Sequence, residues 1–369
     1  ASPLTWAQAQ QARLALALGA RRPVEQPGIV RARYVDHRPP DAAPLTLTAP
    51  DDGAAVNGPA VTVRGTTAPG ALVDIVATPV DTGGPAREVS VRAGADGAFE
   101  AQAPVAFGEV SLAVSATAPD GRTGQAHRTV TGEVVGGTSV LDVTDPDNDD
   151  NGPGTYRYPT AADFRPGAFD LQRFQVITDS DTVYLRTTVR DLTPTFGNQI
   201  GAQLLDVYAQ DPSASPRSTA AAFPQRGYGI AAADAWTQRI EVEGFAAPVW
   251  TTADGTARQG AAVRASGATR TITIALPRAV FGTPGKDWRF AVVLTGQDGY
   301  SPDRARGFAP TPQPYQFGVC APGGGAPVCS RDPAAVPKAL DVITPAGVSQ
   351  ADELDPTPGP VAVRAVTVP

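Results

Sequence analysis

The chain has 369 residues, a hydrophobic share of 42% and a formal net charge of −7. That length exceeds one ordinary core and implies two or three domains, while the hydrophobic share excludes a mostly disordered protein. The negative charge argues against nucleic acid, whose phosphates call for a basic surface that releases counterions, and no run of ~18 apolar residues offers a membrane span. The 37 prolines and 38 glycines exclude long helices beyond the first residues, because proline removes a backbone donor. Only Lys286 and Lys338 are lysines among the 30 basic residues, a codon bias with no functional content. The chain contains no methionine and reads as a processed or truncated chain.

Residues 1–19 predict a helix, with Ser2 as N-cap, Pro3 at the first helical position, and Leu14 and Leu18 at helical spacing. Gly19 is the natural stop. Such a helix is expected to dock on the next domain. From Arg21 to Pro44 the composition is that of a linker, so residues 1–44 form one terminal segment.

Residues 45–135 then alternate in period two. Val61–Val63, Leu72–Ile75, Val89–Val91, Phe99 and Val110–Val114 are separated by Asp96-Gly97, Asp120-Gly121 and Pro-Gly pairs. This predicts an immunoglobulin-like β-sandwich without cysteines. Gly136-Gly137 opens a larger β-sandwich over 136–369. Its clearest strands are Phe174–Val176, Val183–Val189, Leu204–Tyr208, Thr271–Ile274 and Phe290–Leu294. Polar insertions at 211–228 and 296–315 decorate it, and Pro356–Pro369 reads as an extended tail. The fold class is mainly β with one short N-terminal helix.

The sharpest chemical signal lies in Asp145-Pro-Asp147-Asn-Asp149-Asp150-Asn151-Gly152. Oxygen donors on alternate residues above a turning glycine match the opening of a calcium loop. The predicted ligands are Asp145, Asp147, Asp149 and Asn151, with a distant acid, Asp170 or else Asp163, completing the shell. Tyr158 stands where an EF-hand would place its bidentate glutamate, so a helix–loop–helix sensor is excluded. A solvated acidic turn is the competing reading.

Cys320 and Cys329 enclose a glycine-rich loop that can fold back into a disulfide, which favours an oxidising, extracytoplasmic location. Two thiolates alone do not complete a zinc site. Neither His37 nor His127 has a context that supports a catalytic triad, and no pair of acids is marked for glycoside hydrolysis. Catalytic residues are therefore expected to be none. Flat rings stack on pyranose sugars, which makes Trp236, Trp250, Tyr300 and Tyr315 the candidate carbohydrate platform. Trp288, opening an apolar strand, reads as core.

The stretch Asp149-Asp-Asn-Gly-Pro-Gly-Thr-Tyr-Arg-Tyr-Pro-Thr160, followed by Phe164-Arg-Pro-Gly-Ala-Phe-Asp-Leu171, resembles the C-terminal module of bacterial glucodextranases. Gly201-Ala-Gln, Asp206-Val-Tyr208, Gln297-Asp-Gly-Tyr300 and Asp341-Val-Ile-Thr-Pro-Ala-Gly-Val-Ser-Gln350 extend the resemblance over most of 138–355. The preceding segment resembles the immunoglobulin-like domain of the same enzymes. Ser2–Leu14 and Arg22-Pro-Val-Glu-Gln-Pro27 resemble the last helix and exit of their α/α barrel.

The resemblance implies a parent that hydrolyses α-glucans or dextran from the chain end with inversion, using two glutamates in barrel loops. No position of this sequence matches them; Glu25 falls after the barrel's end. It also implies a sandwich similar to carbohydrate-binding modules that carry a structural calcium ion. The leading expectation is thus a non-catalytic, secreted or cell-surface region. It binds a polysaccharide or cell-envelope glycan, and its partners extend to other envelope proteins. Two alternatives stand beside it: a structural, S-layer-associated envelope protein, and one piece of a nicked glucodextranase or glucoamylase.

Overall fold

The computed structural model describes residues 5–21, 30–31, 34–37, 42–80, 84–133 and 135–369. The N-terminal helix spans Thr5–Ala20 and runs through Gly19. Ser2, Pro3 and the segment 22–29, with Glu25, lie outside the described residues. The expected docking of this helix is corrected: Trp6, Leu14, Leu16 and Leu18 are all exposed. Leu14 and Leu18, four residues apart, share one face with Leu16 on the other, and both faces are open to solvent.

The first β unit is an immunoglobulin-like sandwich. Leu45–Ala49, Ala60–Thr67 and Ala98–Pro104 form a three-stranded sheet. Ala54–Val56, Thr123–Gly132, Gly108–Thr117, Leu72–Pro79 and Arg87–Arg92 form a five-stranded one, in that spatial order. In Gly108–Thr117 every second residue is buried, as a half-buried strand requires. Val63, Val73, Ile75, Leu112 and Val114 meet between the sheets.

The second unit is a larger sandwich. Ala262–Ser266, Thr271–Pro277, Thr182–Val189, Leu171–Thr178 and Thr138–Thr144 make a five-stranded sheet. Facing it is a seven-stranded sheet built round Gln203–Gln210 and Arg289–Gly296. Phe174, Leu185, Leu205, Val207, Ile274 and Phe290 fill the space between them.

The seven-stranded sheet is covered on its other side too. Tyr208, Ala291 and Val293 there meet Tyr228, Ile230, Trp236, Leu354 and Val363 in a separate core. This is why all 8 residues of Gln203–Gln210 are buried. The insertion after residue 210 supplies part of this cover. The tail is extended yet not free: Val361–Val363 pairs with Tyr228–Ile230, and Val366–Thr367 pairs with Arg289–Phe290.

The two β units touch directly. Phe107 of the first packs edge-on against Tyr184 of the second, ring centroids 5.6 Å apart. Ile177, Ala262 and Ala275 complete that apolar contact, and Arg87 pairs with Asp181 at 2.8 Å.

Strand register fixes where the functional loops go. Leu171 lies opposite Val189, Thr188 opposite Thr271, Leu204 opposite Glu243 and Gln203 opposite Gly296. Strand ends are thereby brought level, and the loops 145–170, 190–202, 244–248 and 297–316 leave the sandwich at one end.

Candidate cation site and aromatic face

The strand Thr138–Thr144 runs out at this end, and the next residue, Asp145, donates its N–H to Gln172 O at 3.0 Å. The chain then reverses through Asn148 and Gly152, whose φ angles are 68° and 58°. A Cβ on Gly152 would lie 2.3 Å from the Tyr156 ring, so only glycine fits. Its N–H reaches Leu340 O at 2.8 Å and draws the loop onto the strand that begins at Asp341.

Asp145, Asp149 and Asp341 thereby each place a carboxylate oxygen within 4.8 Å of the others. Asp341 is fully buried, and its Oδ2 accepts the Leu171 N–H at 2.7 Å. Four buried oxygens have no hydrogen-bond partner: Asp145 Oδ2, Asp149 Oδ1, Asp170 Oδ1 and Asp341 Oδ1. Burial, reinforced by the neighbouring carboxylates, pushes Asp145 up to about 8 and Asp149 up to about 6. The same causes push Asp341 well above the carboxylate range. Asp170 is raised chiefly by burial, against the Asn148 N–H and Arg190, which approach its other oxygen at 3.0 and 3.3 Å.

An unpaired buried carboxylate is costly, and several facing one another are more so. The donor set is all hard oxygen, which suits a hard divalent cation. These residues fit such an ion.

Asp147 departs from expectation. It is exposed and accepts from Gln172 Nε2 at 2.8 Å, away from the cluster, because the left-handed turn at Asn148 swings it outward. Asn151 braces the turn through its carbonyl, which accepts from Gly154 and Tyr156, each at 3.0 Å. Asp341 takes the place that alternation gave to Asp147. Its signal was weak: one acid at the head of an apolar strand, far along the chain.

The tryptophans are corrected as well. Trp236 is 5% exposed and Trp250 2% exposed, so neither presents a face to a sugar. Trp250 lies between the sheets, with its indole N–H on Gln238 Oε1 at 3.0 Å. Trp236 belongs to the outer core and donates to Ala220 O at 2.8 Å. Tyr300 and Tyr315, by contrast, are 83% and 55% exposed. Phe196, which sequence reasoning missed, is 36% exposed at the tip of a tight turn. A phenylalanine beside glycine between Thr195 and Asn198 was its only mark.

The expected disulfide is present. Cys320 and Cys329 are bonded with Cα atoms 5.6 Å apart.

Two family models match the chain. Residues 43–134 match glucodextranase domain B, and residues 140–368, more than half of the chain, match the C-terminal, SLH-like binding module of glucodextranase. The chain belongs to this glucodextranase binding-module family. Both matched parts of the glucodextranase region are accessory domains, which agrees with a non-catalytic, binding role.

No curated protein matches the chain significantly. Among solved structures, an engineered protein is 21% identical over 26% of this chain and 21% of its own, with a TM-score of 0.21. A tetra-tandem repeat from the extending region of a large adhesion protein is 15% identical over 70% and 45%, with a TM-score of 0.23. A 1.5-MDa bacterial ice-binding adhesin is 10% identical over 70% and 94%, with a TM-score of 0.19. The chain spans less than half the length of the first two, and likenesses this slight carry no argument. No helix among the described residues is long and apolar enough to cross a membrane.

Proposed function

We propose that this chain is the glycan-binding, surface-attaching part of a secreted α-glucan or dextran hydrolase, with a structural calcium ion in its acidic loop. The observation that carries the reading is the pair of glucodextranase accessory domains, in order, ending in a binding module. The disulfide supports an extracytoplasmic location.

The calcium part rests on the four unpartnered buried oxygens of Asp145, Asp149, Asp170 and Asp341. A bound ion supplies positive charge to Asp145, Asp149 and Asp341, whose cluster has only carboxylates. The chain's own residues set the geometry: Leu171 orients Asp341, Asn148 orients Asp170, and Gly152 holds the loop against Leu340.

Retention on insoluble α-glucan, cross-linked dextran and isolated cell envelopes tests the binding role. Retention on at least one is expected, and passage through all three unretained refutes it. The SLH-like character of the module favours a second reading, an envelope protein whose polymer is the cell wall itself. Retention on envelopes alone would select it. The isolated chain is expected to release no glucose from starch or dextran. Turnover that a point substitution within residues 1–369 abolishes would overturn the non-catalytic reading.

A further inference from the structure

Phe196 occupies a position that its residue type disfavours. Thr195 and Asn198 bridge across a two-residue turn, in which Phe196 has φ 53° and Gly197 φ 79°. Such turns favour Asn-Gly, because a bulky side chain is strained in the left-handed region. The ring is not sunk in the core to offset that strain. Strain of this kind at an exposed aromatic is a pointer to use.

The ring has a built support. Phe164, buried, lies 5.8 Å from Phe196 and 6.2 Å from Tyr315 between ring centroids. The Arg306 guanidinium sits 4.7 Å from the centre of Phe164 and 5.9 Å from that of Phe196. It also donates to Tyr315 O at 2.8 Å. Two exposed rings from separate loops therefore rest on one buried pair. Tyr300 stands on a turn fixed by Asp298, which accepts the N–H groups of Tyr300 and Ser301 at 3.1 and 3.0 Å. Asp298, Tyr300, Tyr315 and Asp163 all lie within electrostatic reach of Arg306.

We propose that Phe196 and Tyr315 form an aromatic platform that takes the apolar face of a neutral pyranose chain, with Phe164 and Arg306 as its support. The proposal rests on the glycan-binding reading and says where on the module the glycan lies. Rigid rings already held in place lose little freedom on binding. Asp163 and Asp298 offer acceptors to sugar hydroxyls and repel an anionic polymer, while the Arg306 charge is 6% exposed and covered by the rings. The occupant is therefore a neutral glycan.

The test is affinity electrophoresis of the whole chain in gels containing soluble dextran, amylopectin or a neutral cell-wall polysaccharide. The wild type is expected to be retarded in at least one gel. Phe196→Asn removes the ring and suits the left-handed turn, so it should melt no lower than wild type and bind at least about tenfold more weakly. Tyr315→Ala should weaken binding comparably. Retardation unchanged in both variants overturns the platform and leaves the glycan-binding reading standing. Binding only to an anionic polymer overturns the neutral occupant. A wild type that binds none of these polymers, nor envelopes, overturns the platform together with the reading beneath it.

Discussion

Asp341 and Leu171, separated by 170 residues, are joined by a 2.7 Å hydrogen bond from the Leu171 N–H to Asp341 Oδ2. The bond turns the carboxylate so that Oδ1 is left without a hydrogen-bond partner in the cluster with Asp145 and Asp149. Asp341→Asn removes one charge from that cluster. In chelator the variant should melt above the wild type, because repulsion is relieved. With calcium the order should reverse, since the wild type alone gains about 2.7 kcal/mol at a hundredfold excess over the dissociation constant. Calorimetry in both buffers decides it; identical wild-type melting with and without calcium defeats the ion.

The same carboxylates dictate a pH dependence. Without an ion, burial and neighbouring carboxylates hold Asp145 up to about 8 and Asp149 up to about 6. An unfolded aspartate titrates near about 4. Between those values the folded state binds more protons than the unfolded one, so stability falls as pH rises. Melting temperature in chelator should drop from pH 5 to pH 8, and saturating calcium should remove that slope. A chelated protein that gains stability over the same range contradicts the assignment.

Arg226 is a buried charge, fully enclosed on the outer face of the seven-stranded sheet. It bonds Asp206 at 2.6 Å, Glu241 at 2.7 Å and the Asp303 carbonyl at 2.7 Å. Lys338 joins Asp303 at 2.7 Å. Arg226→Met leaves two buried acids facing each other and should cost about 3–5 kcal/mol in urea unfolding. Adding Asp206→Leu should recover part of the loss.

What the sequence revealed follows from periodicity. Val110–Val114 and Val183–Val189 alternate or run apolar, so their strands were legible without a structure. The crowding of Asp145 and Asp149 was legible because their acids fall in one short loop. Asp341 was not, since nothing local marks an acid that a distant strand brings beside them. Trp236 misled for a related reason. A sheet covered on both sides buries residues that a two-layer sandwich would expose, and the cover comes from an insertion and a tail that read as loops.

The Cys320–Cys329 bond closes a short glycine-rich loop beside the inter-sheet core, which includes Cys320 and Val328. Thiol titration of the unfolded, unreduced chain should find no free thiol. Paired substitution to serine should cost about 2–3 kcal/mol, the loop entropy regained by the unfolded chain.

The joint between the β units depends on Phe107 against Tyr184. Phe107→Ala should separate the two melting transitions in calorimetry while leaving each unit folded. An unchanged, single transition would show that the Arg87–Asp181 pair and the remaining apolar contacts suffice.

The strand Arg289–Gly296 receives Asp341–Val342 at one end and Val366–Thr367 at the other. A ribosome making this chain has produced almost all of it before that strand acquires its final neighbours. The first sandwich, whose strands pair within residues 45–132, has no such wait. Synthesis thus delivers one finished unit well before the other, whose sheet closes only once Val366–Thr367 has emerged, with its apolar face open in the interval. A chaperone that recognises unpaired apolar strands has its natural target in that interval.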